Sequence, residues 1–224
     1  CTHTENVATV CFPDSTFCLT NEFYTLTQSN LNLLGNYPEQ CIDSIELIYI
    51  VGYDEIDPIV DLAPLSRYRT LETLVIHSTN QLQNLSGLEN LEFVKNFQLS
   101  SNYGLLTTAG LNPNLLNEHL SISSNEALTE LPEFIEINSP KSVLISHQRE
   151  LDQSEFNKLN SVESLNITRC DFSNGDFLRK WESNPVSSVA LRLYGKGIKN
   201  CSVTTLLDEF GEDVIKKLYN KNLF

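Results

Sequence analysis

The stretch LSISSNEAL, residues 120–128, decides the fold that we predict for this chain. Leu120 and Ile122 alternate with polar residues as in a half-buried strand, and Asn125 follows three positions later. Similar stretches begin at Ile48, Leu74, Phe97, Val143, Leu165 and Leu191, so neighbouring copies lie 22–26 residues apart. A period in this range is typical of a solenoid, in which each coil packs only against its neighbours.

This period predicts an α/β fold, namely a right-handed solenoid of about seven coils with one parallel sheet and short irregular or helical returns. We divide the chain into an N-terminal cap (residues 1–47), the solenoid (48–200) and a C-terminal capping helix (201–224), all in one continuous domain. Each terminal coil needs such a cap because it has no neighbour to cover it.

The N-terminal cap is expected to contain a short helix over Asn21–Leu34, which Gly35 and Pro38 would stop. Its predicted apolar side consists of Phe23, Leu26, Leu33 and Leu34. The C-terminal helix is predicted because its apolar residues recur every four positions, at Leu206, Phe210, Val214 and Leu218.

A turn residue follows four successive strands at a fixed distance, three positions after the second inward residue. Asn102, Asn125, Gln148 and Cys170 occupy this position in successive repeats. An amide that turns inward there can satisfy backbone groups that the chain frees as it leaves the strand.

The cysteines gather at the two ends of the repeats. There are six, at Cys1, Cys11, Cys18, Cys41, Cys170 and Cys201. No CxxC pair or Cys/His cluster is present, so a zinc site is not expected. Disulfides that close the ends of the core would require an oxidising compartment. We therefore predict a secreted or cell-surface location, either extracellular or periplasmic.

The net charge argues against a nucleic-acid partner, and the hydropathy argues against a transmembrane segment in this chain. The formal net charge is −14, which would repel a phosphate backbone, so no nucleic-acid partner is expected. No apolar stretch approaches the roughly 18 residues that a membrane span needs, so no transmembrane segment is expected in this chain. Attachment to a membrane through a lipid or another anchor is left open by these observations.

The repeats resemble leucine-rich repeats, whose pattern is LxxLxLxxN/CxL, with Asn102, Asn125 and Cys170 at the N/C position. The irregular returns and the order of Cys18, helix and Cys41 before the first strand are similar to the receptor L-domain. This resemblance extends over roughly residues 18–205 and implies a ligand-binding solenoid of leucine-rich-repeat-like coils with disulfide caps at both ends. It implies the pairs Cys18–Cys41 and Cys170–Cys201, with Cys1–Cys11 as the third.

Outward positions on the strands form the predicted ligand-binding face. It comprises Tyr49, His77, Gln98, Ser100, Ser121, Ser123, Leu144, Ser146, Thr168, Arg192 and Tyr194. Four of these, Ser100, Ser123, Ser146 and Thr168, fall in register and predict a ladder of hydroxyl groups. Serine and threonine are common at solvent-facing strand positions, so a single residue carries little weight. For the face as a whole we favour binding, because solenoids commonly use such surfaces.

Catalysis, metal binding and cofactor binding are not expected. His77 and Ser100 are adjacent in register, but no carboxylate falls beside them to orient the imidazole. The acidic stretch with Asp54, Glu55, Asp57 and Asp61 lacks the alternating ligands and central glycine of a calcium loop, which favours a solvated loop. A glycine-rich phosphate loop is also absent from the sequence.

The sequence therefore predicts a non-catalytic extracellular recognition module that binds a protein or a glycan. The alternative is a structural cell-envelope protein, such as a bacterial lipoprotein anchored through Cys1, although this would leave an odd number of thiols. The sequons at Asn84, Asn166 and Asn200 permit N-glycosylation. A glycan on Asn166 would cover part of the predicted face, so glycosylation at Asn166 and ligand binding through that face are competing hypotheses.

Overall fold

The computed structural model describes residues 21–148, 150–162, 164–167 and 192–193, which form an α/β fold with one all-parallel sheet. The eight described strands are β1 (Glu22–Thr25), β2 (Leu47–Val51), β3 (Thr70–His77), β4 (Phe93–Ser100), β5 (Leu116–Ser123), β6 (Ser142–Ser146), β7 (Ser164–Ile167) and β8 (Arg192–Leu193). The described helices are α1 (Gln28–Gly35), α2 (Phe134–Asn138) and 3-10 helices at Glu39–Ser44, Ala63–Leu65 and Gln153–Ser161.

Each strand pairs in parallel with the next strand along the chain, so the spatial order is the sequence order. One row of paired residues runs Ile76, Leu99, Ile122, Ile145 and Ile167. The steps in this row are 23, 23, 23 and 22 residues, which equal the intervals between the repeated stretches. The predicted single parallel sheet and its register are thus confirmed over these strands.

The sheet begins one strand earlier than the repeats indicated. Glu22–Thr25 is strand β1, which pairs with β2, whereas we predicted that these residues begin a helix. Phe23 and Thr25 are buried and alternate with exposed neighbours, and this period of two belongs to a strand. The helix α1 starts only at Gln28, because the side chain of Thr27 caps it by accepting a hydrogen bond from the Asn30 N–H.

The predicted apolar side of this helix was also wrong in part. Leu31 and Leu34 are the buried leucines of α1, while Leu33 is half-buried. Leu26 precedes the helix and is 46% exposed. The predicted end at Gly35 is confirmed.

The core lies beneath the inward residues of the strands. The predicted inward pairs from Leu74/Ile76 to Leu165/Ile167 are all at most 2% exposed. Strands β3 to β5 extend further toward their N-termini than predicted, and this extension adds the buried Leu71 and Val94 to the core. Leu191 lies outside the described residues.

The chain leaves successive strands through the same left-handed turn. Ser78, Ser101, Ser124 and His147 have φ values of 52–57°. The N–H groups of the three serines donate to carbonyls at the end of the following strand, over 2.8–3.0 Å. A left-handed conformation is unfavourable for residues other than glycine, so these bonds between repeats hold the turn in place.

Two buried asparagines connect these turns, as the sequence predicted. Asn102 Nδ2 donates to the carbonyl of Ile76 at 2.9 Å, and its Oδ1 accepts from the Thr79 N–H at 3.0 Å. Asn125 repeats the arrangement one strand later: Nδ2 donates to Leu99 and Oδ1 accepts from the Asn102 N–H, both at 3.0 Å. Each amide therefore satisfies buried backbone groups of the preceding repeat.

Gln148 occupies the next position but does not continue this network. Its Nε2 donates to the carbonyl of Ser146, and its Oε1 is buried without a hydrogen-bond partner. The extra methylene group of glutamine changes where the amide lies. Cys170, the fourth residue of the predicted series, lies outside the described residues.

Side chains also join the returns on the other side of the core. Asn90, Asn112 and Asn138 each donate from Nδ2 to a carbonyl of the preceding return, over 2.9–3.2 Å. Gly87 and Gly110 have positive φ, and a Cβ atom at either position would overlap the backbone of the return before it. Close stacking of the returns therefore requires glycine at these two positions.

One of the predicted disulfide cysteines is described. Cys41 is 3% exposed and disulfide-bonded. The other five cysteines lie outside the described residues, and so do the predicted pairs Cys1–Cys11 and Cys170–Cys201, the partner of Cys41, and the C-terminal helix.

Candidate functional site

The candidate site is the sheet surface opposite the core, here called the open face. We define it by three rows of outward residues that cross the strands. The first row is Glu22, Leu47, Thr73, Asn96, His119, Ser142 and Ser164; the second is Tyr24, Tyr49, Val75, Gln98, Ser121, Leu144 and Asn166; the third is Val51, His77, Ser100, Ser123 and Ser146.

The structure places most of the predicted ligand-binding residues on this face. Gln98 is exposed, and Tyr49, His77, Ser121, Ser123 and Leu144 are half-buried. Thr168 and Tyr194 lie outside the described residues. Arg192 is in β8 and pairs with Asn166, but its side chain is not described.

The predicted hydroxyl ladder is in register but uneven in exposure. Ser100, Ser123 and Ser146 pair directly across β4, β5 and β6. Ser100 is 5% exposed and Ser146 is 9% exposed, so only Ser123 has a substantially accessible side chain among the three. The small side chain of Ser100 lies between two larger neighbours, His77 and Gln98, and is hydrogen-bonded to both.

A hydrogen-bond chain runs across the face from the loop after β2 to β4. The hydroxyl of Tyr53 lies 2.8 Å from His77 Nε2, and His77 Nδ1 lies 2.8 Å from Ser100 Oγ. Gln98 Nε2 donates to the same oxygen at 3.1 Å. Both ring nitrogens are therefore engaged, and either neutral tautomer of His77 satisfies the chain. The adjacency of His77 and Ser100 is confirmed, while Tyr53 occupies the place where a triad would require a carboxylate.

Aromatic rings gather at the end of the face formed by β1 to β3. The rings of Tyr24 and Tyr49 are tilted by 34° with centroids 5.7 Å apart. Tyr53 meets the His77 ring edge-on, with centroids 5.6 Å apart. Tyr24 is 50% exposed and Tyr53 is 66% exposed. We call these four residues the aromatic end.

The open face is almost uncharged. Among the described side chains in its three rows, the only Asp, Glu, Lys or Arg is Glu22, at the edge. The carboxylate of Glu22 accepts a hydrogen bond from the Tyr24 hydroxyl at 3.3 Å. Desolvation and, next, this carboxylate raise the pKa of Tyr24, so the hydroxyl is neutral at physiological pH.

Paired charges flank the face where the strands begin. Lys95 Nζ lies 3.0 Å from Glu72, and Lys141 Nζ lies 3.1 Å from Glu118. The hydrogen bond from Lys141 lowers the pKa of Glu118, and the bond to Glu72 raises the pKa of Lys95. These charges are therefore paired beside the face and are not directed onto it.

The acidic loop after β2 uses its carboxylates to hold backbone. Asp54 Oδ1 accepts from the Ile56 N–H at 2.8 Å, and Asp61 Oδ1 accepts from the Ala63 N–H at 2.9 Å. Asp57 Oδ2 accepts from the Ser29 N–H at 3.0 Å, in the first turn of α1. Within the described residues no group of three or more His, Cys, Asp or Glu side chains is arranged to hold a metal ion.

Two of the three sequons are described. Asn84 is half-buried, and its Oδ1 accepts from the N–H of Ser86, the serine of its own sequon, at 3.0 Å. Asn166 is half-buried in the second row of the open face, and its Oδ1 is buried without a partner. Asn200 lies outside the described residues.

A separate cavity of about 190 Å³ opens among the returns, beside Thr108, Asn112, Glu130, Glu133 and Phe134. The carboxylate of Glu130 accepts hydrogen bonds from the side chain of Thr107 and from the Thr108 N–H. Because this carboxylate already holds the neighbouring return, we assign the cavity a structural role.

Sequence reasoning missed Tyr24 and Tyr53 as residues of the site. Tyr24 was missed because β1 was predicted to be helical, although Phe23 precedes Ile48 by 25 residues, which fits the repeat interval. Tyr53 stands three residues after Ile50, at the repeat position that Asn102 and Asn125 occupy in later repeats, but its side chain is 66% exposed whereas theirs are buried. Its position beside His77 results from the course of the loop after β2.

Comparisons with protein-family models, with curated proteins and with solved structures found no match for this chain. None of the helices in the described part of the chain has the length and apolarity needed to cross a membrane.

Proposed function

We propose that this chain is a non-catalytic extracellular recognition module that binds a protein or a glycan through the open face. The observation that carries the proposal is a nearly uncharged face on which hydrogen bonds hold His77, Ser100 and Gln98, with Tyr24 and Tyr53 exposed at one end. Side chains that are fixed before binding lose little conformational entropy when a ligand arrives.

We further propose that the parallel sheet belongs to a right-handed solenoid of leucine-rich-repeat or receptor L-domain type, with disulfide caps at both ends. Sequential parallel pairing at steps of 22–26 residues supports this architecture. The buried disulfide-bonded Cys41 supports a secreted or cell-surface location.

The arrangement around His77 supports the non-catalytic part of the proposal. Its hydrogen-bond partners are Tyr53 and Ser100, so no carboxylate fixes one tautomer or stabilises an imidazolium ion. Ser100 is 5% exposed, which leaves its hydroxyl little room to reach a substrate.

Binding can be tested with purified protein on a panel of glycans and of secreted or cell-surface ectodomains. Each ligand found is then measured against Ser123→Glu, which places a charge in the third row of the open face, on the central strand β5. The matched control is Asn114→Glu, because it places the same charge at an exposed position between strands. We expect Ser123→Glu to abolish binding and Asn114→Glu to preserve it.

If neither Ser123→Glu nor Tyr24→Ala, at the β1 edge of the face, weakens any ligand relative to the wild type, the open face is not the binding surface. The intact mass of the protein from its natural source, with and without reduction, tests the location. Three disulfides support the secreted module, whereas an acyl chain together with a free thiol would favour the envelope lipoprotein.

A further inference from the structure

The aromatic end offers the elements of a carbohydrate site. Tyr24 and Tyr49 lie on adjacent strands, and their rings form a tilted platform at the edge of the sheet. A pyranose ring has an apolar face of C–H groups that packs well against such rings. Tyr24 is half exposed, so this platform is accessible to a ligand.

The neighbouring polar groups are suited to sugar hydroxyls. Tyr53, His77, Ser100 and Gln98 are joined by hydrogen bonds of 2.8–3.1 Å, which fix their side chains in one arrangement. All of these groups are uncharged when His77 is neutral, and they include both donors and acceptors. Sugar hydroxyls also donate and accept, so the exposed Tyr53 hydroxyl and Gln98 amide, which keep hydrogen-bonding capacity beyond the chain, can pair with them.

The distribution of charge restricts the class of ligand. A phosphate or carboxylate ligand would require Lys or Arg on the face, and the described side chains of its three rows include neither. Among the described side chains of the three rows, the one acidic group that a cationic ligand would meet is Glu22, at the edge of the face. Exposed Leu26 and Ile56 follow β1 and β2 and add apolar area near this end, which a peptide could also use. The fixed neutral hydrogen-bonding groups beside the rings favour a sugar.

We propose that the aromatic end binds a neutral oligosaccharide, with Tyr24 and Tyr49 stacking on one sugar ring and with the Tyr53 hydroxyl and the Gln98 amide, held in place by His77 and Ser100, binding hydroxyl groups. This inference rests on the proposed function. Of the two ligand classes that the proposed function allows, a protein or a glycan, the inference selects the glycan.

The test uses isothermal titration calorimetry of the full chain with four neutral probes: cellohexaose, maltohexaose, laminarihexaose and chitohexaose. Heparin serves as an acidic comparison. We expect at least one neutral probe to bind and Tyr24→Ala to weaken it about tenfold or more, which corresponds to about 1.4 kcal/mol. Tyr53→Phe, which removes only the hydroxyl, should weaken it about threefold to tenfold.

The control variant is Ile137→Ala, which truncates an apolar side chain on α2 that is 56% exposed. It should change the affinity by less than about twofold. Thermal melting of each variant verifies that the fold is retained.

The proposal is overturned if none of the neutral probes binds, if only heparin binds, or if Tyr24→Ala leaves the affinity of a bound probe unchanged. Ser123→Glu separates this failure from failure of the proposed function. A ligand that Ser123→Glu abolishes and Tyr24→Ala does not affect would leave the open face as the binding surface. A ligand insensitive to both variants would refute both proposals.

Discussion

The replacement Asn125→Ala tests the hydrogen-bond network that joins successive repeats. The native side chain is fully buried and bonds to the Leu99 carbonyl, the Asn102 N–H and the Asn102 side chain, each at 3.0 Å. Alanine would remove all three bonds. The Asn102 amide would keep its bond to Ile76, so the main cost comes from two backbone groups that water cannot reach.

Each buried backbone group left without a partner costs about 1–3 kcal/mol, so the expected loss is about 2–6 kcal/mol with a central value of about 4 kcal/mol. For a chain of 224 residues, each kcal/mol lowers Tm by about 2–4 °C, which predicts a fall of about 8–16 °C for the central value. Such a loss is a large part of the about 5–15 kcal/mol that stabilises a typical domain.

Urea denaturation followed by circular dichroism, together with a thermal melt, measures this loss. Asn114→Ala is the matched control, because this asparagine is exposed and its substitution should change stability by less than about 0.5 kcal/mol. A loss below about 1 kcal/mol for Asn125→Ala would refute the reasoning, since it would mean that water or a backbone shift replaces the missing bonds.

Four further predictions concern single side chains. Gln148→Asn should raise the free energy of unfolding by about 1 kcal/mol in urea denaturation. The shorter amide can accept from the Asn125 N–H, so no side-chain oxygen is left buried without a partner, as Gln148 Oε1 now is. An unchanged free energy of unfolding would contradict this. Ser124→Gly should raise stability by about 0.5–1 kcal/mol, since its φ of 55° suits glycine better; a loss would show that the Ser124 side chain contributes more than the turn costs. Tyr68→Phe should raise Tm by a few degrees, because burial raises the pKa of this tyrosine and its hydroxyl has no partner; a lower Tm would reveal a bond at that hydroxyl. Asp57→Asn should lower Tm at neutral pH, because the backbone N–H bond at α1 lowers the pKa of the folded carboxylate. This stabilisation is present above the unfolded pKa of Asp57 and is lost as pH falls through the folded pKa, so the Tm difference from wild type should vanish in acid. A Tm difference that does not depend on pH would refute this reasoning.

The periodic part of the fold could be predicted from sequence because it depends on local alternation that the repeats reproduce. Leu120 and Ile122 face the core because side chains alternate along a strand, and their partners lie one interval away in either direction. Asn125 could be assigned a structural role for the same reason, since Asn102 stands at the same place one interval earlier and the two amides make the same kind of bonds.

The first strand and the accessibility of the residues on the open face could not be predicted in this way. Residues 22–25 form too short an alternation to compete with the helical pattern that follows, and their strand conformation depends on pairing with β2. Ser100 was correctly placed on the open face, but its burial depends on contacts with His77 and Gln98, which lie on neighbouring strand positions. The alternation along a strand predicts on which face of the sheet a side chain lies, but it does not predict how much of that side chain solvent can reach.

By itself, the sequence determined the strand positions, their register and the inward asparagines, because these follow from a repeat interval that each coil must share with its neighbours. Only the tertiary structure decided that Tyr24 and Tyr53 join Tyr49 and His77 at one end of the face. Tyr24 takes its place through the pairing of a short edge strand with β2, and Tyr53 lies exposed at the repeat position where later repeats bury Thr79, Asn102 and Asn125. A repeat interval fixes such positions along the chain, but it does not fix whether a strand pairs there or whether a side chain lies inside or outside.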